Sequence, residues 1–348
     1  MFGNSGLGGY NQKPIKNENE RDYKTNMGFT DCISSISYNP QTKEMLAGSS
    51  WDKSLRAFNM STLSTVSTTL PAPILSCAWL STGTSVAAGC CDNMVRVWDV
   101  SSNKVTDVGR HGQPVSRVLP YQQNPSILFS TSWDGTLLAW DIRTPSGTPV
   151  STINLGCKIV AADIQGDTLA AATSDRKYYI YSISNMNSPP IVSDSGLKAT
   201  PRTCSLTFDQ SCLAMSSAEG RCTVKFFRQK DKQDKSFTFK CHRGTHSSST
   251  DVYCTNDTSF HPAFNSTLST VGSDGTYYFW DKDNRQRLHL SKSVGQPVTC
   301  SKFSLDGGFF AYAASYDWSL GSMPAASYSH DIFIHKLEES EVVPKPKK

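Results

Sequence analysis

Apolar and polar residues alternate along most of the chain in short stretches, as in Ile36-Ser37-Tyr38, Ser76-Cys77-Ala78-Trp79 and Thr299-Cys300-Ser301-Lys302-Phe303. A period of two is the mark of a strand with one face buried. No stretch keeps a helical apolar period beyond two turns, so the pattern predicts an all-β chain. The strand-like segments also end in a common way: Ser or Gly, an acidic residue, a short step, then an aromatic. The unit reads Gly48-Ser49-Ser50-Trp51-Asp52 to Phe58, Gly89-Cys90-Cys91-Asp92 to Trp98, and Ser130-Thr131-Ser132-Trp133-Asp134 to Trp140. It continues as Thr173-Ser174-Asp175 to Tyr181 and Val271-Gly272-Ser273-Asp274 to Trp280. In all five copies the aromatic lies six residues after the acid, and the acids at 52, 92, 134 and 175 are 40, 42 and 41 residues apart. That is the ~40–45-residue period of a four-stranded propeller blade.

The acid suits the tight turn between two strands, where Asp and Gly supply turn geometry and local hydrogen bonds. Six residues later the chain reaches the end of the next strand, where the aromatic is expected to pack between blades. Two further copies are degenerate. One is Leu213-Ala214-Met215-Ser216-Ser217-Ala218-Glu219-Gly220-Arg221, with Glu for Asp, and the other is Phe310-Ala311-Tyr312-Ala313-Ala314-Ser315-Tyr316-Asp317-Trp318. Glu219 and Asp274 are 55 residues apart, which predicts a long loop near 228–257. Seven units fit one closed ring without exposed sheet edges. The last unit has only three strands of its own, so a segment near 22–30 is expected to supply the fourth and close the ring. Residues 1–20, with one Phe-Gly pair, and 338–348 are expected to be disordered tails around a propeller spanning 21–337.

Composition narrows the function classes. With 38% apolar and 10% aromatic residues, the 348-residue chain is too rich in order-promoting side chains for a disordered protein. The longest uninterrupted apolar run, Phe309 to Ala314, is six residues, against the ~20 a membrane helix needs. The start lacks a basic and an apolar signal region, so a soluble protein on the cytosolic or nuclear side is expected. Eleven cysteines, an odd number without a C-x-x-C pair, read as buried thiols rather than disulfides or zinc ligands. No nucleophile elbow, zinc-protease or P-loop motif occurs. The expectation is a non-enzymatic protein with no cofactor and no metal. Cys241, His242, His246 and Cys254 are the nearest approach to a metal cluster, and a loop histidine beside core thiols explains them equally.

The remaining chemistry is for binding. Trp51 and Trp133 precede turn acids where most blades carry a small residue; they are either extra packing between blades or anchors for a ligand. Arg176 and Arg221 sit in or beside the matching turns of blades four and five. As solvated turn residues they need no role, but with two Trp on the same face they suit an acidic, partly apolar peptide. Residues 228–243 carry six Lys or Arg against two Asp, interleaved with Phe237 and Phe239. Arg228, Lys230, Lys232 and Lys235 are therefore possible RNA contacts, unless the segment is merely a charged loop. The net charge of +4 is too mild to decide.

Several stretches together, Ser50-Trp51-Asp52, Ser132-Trp133-Asp134-Gly135, Glu219-Gly220-Arg221 and Phe239-Lys240-Cys241-His242-Arg243, resemble the WD-repeat family of nuclear-pore-associated mRNA export factors. Val271 to Gly275, Phe279 to Asp283 and Phe310 to Ser319 are similar to that family more than to its close relative, the mitotic checkpoint propeller. The resemblance implies a seven-bladed propeller that binds a GLEBS-type segment of an FG nucleoporin and links mRNA to the pore. It adds Lys240 and Arg243 to the peptide-binding set. It also implies residence in the nucleus and at the nuclear envelope, shuttling to the cytoplasm, and contact with mRNA or an mRNP export receptor. The alternatives it leaves open are a spindle-checkpoint scaffold that binds a kinase segment and a propeller that binds RNA directly.

Overall fold

A computed structural model describes residues 22–143, 147–228, 235–245, 249–319, 321 and 328–344. The Phe-Gly pair near the start, Lys230 and Lys232 lie outside these residues. A short strand, β1 (Asp22–Lys24), comes first. Blade 1 is then β2 (Ile33–Tyr38), β3 (Met45–Ser50), β4 (Ser54–Asn59) and β5 (Ser64–Thr69). Blade 2 is β6 (Ile74–Trp79), β7 (Ser85–Cys90), β8 (Met94–Asp99) and β9 (Lys104–Arg110). Blade 3 is β10 (Val115–Pro120), β11 (Ile127–Ser132), β12 (Thr136–Asp141) and β13 (Ser151–Asn154). Blade 4 is β14 (Ile159–Gln165), β15 (Thr168–Thr173), β16 (Lys177–Ser182) and β17 (Ile191–Asp194). Blade 5 is β18 (Ser205–Leu206), β19 (Cys212–Ser217), β20 (Arg221–Phe226) and β21 (Phe237–Lys240). A hairpin, β22 (Arg243–Thr245) and β23 (Thr250–Val252), precedes blade 6, which is β24 (Thr255–Phe260), β25 (Thr267–Gly272), β26 (Tyr277–Asp281) and β27 (Gln286–Leu290). Blade 7 is β28 (Val298–Phe303), β29 (Phe309–Ala314) and β30 (Asp331–Lys336), with β1 as its outer strand.

The seven four-stranded antiparallel sheets match the propeller read from the repeat. Each second strand is buried on both faces, and so is built from small residues, such as Ala47-Gly48-Ser49-Ser50 and Val86-Ala87-Ala88-Gly89-Cys90. The core is accordingly not one cluster but a series, each shared by two adjacent blades. Trp140 shows why the repeated aromatic is needed: it packs from blade 3 onto Gly109 of blade 2, where a Cβ would stand 2.1 Å from its ring. Its indole donates to Ser130 Oγ at 2.7 Å, and His111, from the connector after β9, reaches the same hydroxyl at 2.7 Å. Asp134 accepts from Gly112 N at 2.6 Å and Thr136 N at 2.8 Å. Turn acid, connector, histidine and aromatic thus tie successive blades. Blade 6 repeats the set with Asp274, His242, Thr270 and Trp280.

The expected closing strand is β1, in register Asp22 with His335, Tyr23 with Ile334 and Lys24 with Phe333. Two expectations need correction. The long loop at 228–257 contains the β22–β23 hairpin, because Arg243, Gly244 and Thr245 pair with Val252, Asp251 and Thr250. The expected tail from 338 instead forms a helical turn, α1 (Glu339–Val342), docked on the ring. Val342 is buried, and its carbonyl accepts from Thr267 Oγ1 at 2.7 Å. Glu341 binds His335 Nε2 at 3.0 Å.

Candidate functional site

The turns between second and third strands and the connectors into the next blade meet on one face. In blade 1, Trp51 N donates to Cys32 O and Leu70 N to Lys53 O, both at 2.9 Å. Asp52 binds this assembly together. Burial alone would raise its carboxyl, but donors from Ser54 and Thr30 outweigh that and hold it below the ordinary value. At the centre of the face a cavity of about 970 Å³ opens along the ring axis, walled by the first strands of the blades. Inside it, Asp163 and Asp257 are held by Leu206 N and Ser301 N, and burial pushes both carboxyls up.

Trp51 and Trp133 line the same mouth, Trp51 exposed and Trp133 half-buried. A third indole that the repeat did not single out, Trp318, stands with its ring centre 6.3 Å from that of Trp51. Lys158 and Arg202, on the connectors into blades 4 and 5, add cations at the mouth. Neither belongs to a motif, so no sequence signal marked them. Trp318 had one: it adjoins the blade-seven turn acid, but after it rather than before.

The four expected peptide-binding cations do not line the cavity. Arg176 is exposed on the blade-4 turn and donates to Lys198 O at 3.3 Å. Arg221 opens β20 directly opposite Lys240 of β21. Arg243 is half-buried and folds back on the chain, donating to Glu219 O at 3.0 Å. Indoles and these cations therefore form a central mouth and a separate rim at blades 4 and 5.

The possible RNA contacts lie elsewhere. Arg228 follows the end of β20, at the opposite face from the turns, and its guanidinium is engaged with Thr168 Oγ1 at 2.7 Å. Lys235 is exposed, and its carbonyl accepts from Arg285. Beside them an aromatic ladder runs along the outer seam of blades 5 and 6: Phe237, Phe239, Trp280 and Tyr278, with neighbouring centroids 5.0–5.9 Å apart. Arg285 covers Phe237 at 4.6 Å and Arg287 lies 6.0 Å from Tyr278.

Among the described residues no group of three His, Cys, Asp or Glu is placed to hold a metal, and no helix is long and apolar enough to cross a membrane. His242 is occupied by Asp274 and Thr270. The cysteines are free thiols; burial pushes Cys77 and Cys90 to about 11.

The profile of the WD domain, G-beta repeat, matches residues 64–99 and 103–141. The "Poly(A)+ RNA export protein" of Schizosaccharomyces pombe is 36% identical over 325 residues, covering 91% of both chains. "Protein Rae1" of Drosophila melanogaster is 36% identical, covering 84% of this chain and 86% of its own. "mRNA export factor GLE2" of Chaetomium thermophilum is 34% identical, covering 91% and 90%. The crystal structure of RRP9 WD40 repeats superposes with a TM-score of 0.78 at 14% identity, over 91% of this chain and 98% of that one, a likeness of fold alone.

Proposed function

The chain belongs to the WD-repeat family of Rae1 and Gle2 mRNA export factors, and from that membership we propose an adaptor that docks a GLEBS-type segment of an FG nucleoporin and so links mRNA export to the nuclear pore. Its place of work is the nucleus and nuclear envelope, with passage to the cytoplasm. The observation that carries the reading is the open mouth, where Trp51 and Trp133 present apolar surface beside Lys158 and Arg202. Such a surface suits a peptide with both apolar and acidic side chains. The rim cations Arg176, Arg221 and Lys240 extend the match outward.

Calorimetric titration with a synthetic GLEBS-type peptide tests this. Trp51→Ala is expected to cost ~2 kcal/mol, roughly thirtyfold in affinity, as for a central anchor. Arg221→Lys should weaken binding too, since an ammonium lacks the planar fork for a carboxylate. Wild-type affinity in Trp51→Ala, Trp133→Ala and Arg221→Lys alike would remove the site from this face.

The ladder favours a second reading, direct contact with single-stranded RNA at the outer seam. The half-buried rings of Phe237, Phe239 and Trp280 offer partly exposed aromatic surface to bases, and Arg285 and Arg287 offer charge to phosphates.

A further inference from the structure

One turn acid departs from the others. Asp52 accepts from Thr30 N and Ser54 N, Asp134 from Gly112 N and Thr136 N, and Asp274 pairs with His242. Asp92 is paired with Arg96 and Asp175 with Lys177. None of these five carboxylates lines the cavity, whereas Asp317, in the matching turn of blade 7, does. Its Oδ2 accepts from Asn256 Nδ2 at 3.3 Å and from Ser273 Oγ, and its Oδ1 from Ser319 N at 3.1 Å. Among the described residues no Lys, Arg or His forms an ion pair with it. Asn256 is 8% exposed, and its Oδ1 has no hydrogen-bond partner. Turning the amide over would aim that oxygen at the Val298 carbonyl and the Asp317 carboxylate, so the orphan acceptor is fixed by its surroundings.

Above these acceptors stands Trp318, 46% exposed and held at φ +61°. That left-handed conformation is strained for a bulky side chain, and such strain gathers at binding sites. The chain keeps the ring there by packing it 5.8 Å from Tyr316, which stacks on Tyr328 at 4.5 Å. With Trp51 tilted 49° to it, Trp318 makes an aromatic pair beside a carboxylate that has hydrogen-bond donors but no cation. Aromatic faces attract cations, and a carboxylate adds a charge-assisted hydrogen bond. Lys158 and Arg202 enter the mouth from blades 4 and 5 and Asp317 from blade 7, and the charges of Arg202 and Asp317 both act on the Cys32 and Cys254 thiols, so cation and carboxylate share the mouth without forming an ion pair.

We propose that the blade-7 side of the mouth takes one cationic side chain, lysine or arginine, of the docked peptide. Its methylenes lie across the exposed faces of Trp51 and Trp318, and its charged head sits on Asp317. The inference rests on the peptide-docking reading of this face. It gives that peptide one basic residue at blade 7 in addition to the acidic residues that suit Lys158 and Arg202.

The test uses Nα-acetyl-lysine methylamide, its arginine counterpart and its norleucine counterpart as probes, read by indole N–H NMR signals of the whole chain assigned through Trp51→Phe and Trp318→Phe. The two charged probes are expected to shift the Trp51 and Trp318 signals, and norleucine to leave them in place; a tighter lysine or arginine probe names the preferred side chain. Asp317→Asn should weaken the charged probes at least tenfold. Trp318→Gly removes the ring and the strain together, so it should lose the probes while melting at the wild-type temperature or above, which separates lost binding from lost folding. Equal shifts by norleucine, or undiminished lysine and arginine binding by Asp317→Asn, would overturn the proposal. The GLEBS-type peptide is titrated alongside. Probes that bind at Asp317 while that peptide does not bind would sink the docking reading and leave the cation site. A peptide that binds Asp317→Asn as well as wild type, with no probe binding, would do the reverse.

Discussion

Replacing His335 by Gln asks whether the ring is held shut by a buried charge cluster. His335 is on β30 and 4% exposed; its Nδ1 lies 2.6 Å from Asp22 Oδ1 on the closing strand, and its Nε2 lies 3.0 Å from Glu341 Oε2 on α1. Burial alone would lower its pKa, but the two carboxylates prevail and raise it from 6.5 to about 9. His289 faces it as well, 6.3 Å away, and burial depresses that ring, so it stays neutral. The folded chain therefore keeps the His335 proton up to about pH 9, while the unfolded chain loses it near 6.5. The stabilisation is fully present below 6.5 and fades as pH rises through about 9. At ~1.36 kcal/mol per pH unit the ceiling is ~3 kcal/mol, and ~2 kcal/mol of it should disappear between about pH 7 and 8.5. Urea unfolding of wild type and His335→Gln across that interval measures it. Subtracting the two curves cancels other groups, and the interval avoids most of them: His111, His261 and His330 are lowered by burial and titrate below it, whereas burial pushes the Cys77 thiol up to about 11. A wild-type curve falling ~1 kcal/mol per pH unit faster than the variant is expected. Parallel curves would show that the histidine is not a charged clamp.

Deleting residues 1–30 removes β1 and should destabilise the whole ring, whereas deleting 1–18 should leave the melting temperature unchanged. Ser130→Ala strands the Trp140 indole and His111 Nε2 together, so a loss of ~1–3 kcal/mol in urea unfolding is expected, and an unchanged midpoint would deny the tie between blades. If RNA lies along the outer seam, fluorescence anisotropy with a single-stranded oligonucleotide should give log affinity falling with log salt by ~0.7 per phosphate neutralised. Ala at Arg285 and Arg287, or at Lys230, Lys232 and Lys235, should flatten that slope; a slope unchanged in both variants would leave the seam without RNA.

What the chain reveals in advance depends on how local each interaction is. The turn acid and its aromatic were legible because a fixed six-residue step joins them within one hairpin. The histidines of the same network were not, because His111 and His242 reach Asp134 and Asp274 from connectors of unequal length, 23 and 32 residues upstream. The closing strand could be inferred only by subtraction, since Asp22-Tyr23-Lys24 has no apolar alternation of its own. The C-terminal turn was misread for a related reason. Glu339-Ser340-Glu341-Val342 is too short to show a period, and what orders it is one buried Val and one carboxylate placed against His335.

The site divides along the same line. Trp51 and Trp133 stood out because the repeat supplies a background against which a large residue beside a turn acid is unusual. Trp318 breaks that register, since its indole follows the acid and reaches the mouth only through a left-handed residue. Lys158, Arg202 and Asn256 are ordinary residues in sequence; they become neighbours of the indoles when ring closure brings connectors 4 and 5 and strand β24 to one axis. A repeat makes each blade predictable from itself, but the surface that recognises a partner is made by the differences between blades. The same logic accounts for Asp317, whose residue type is that of every other turn acid but Glu219. Only its partners, Asn256 and Ser273 of the neighbouring blade rather than its own connector, turn it inward to face a ligand.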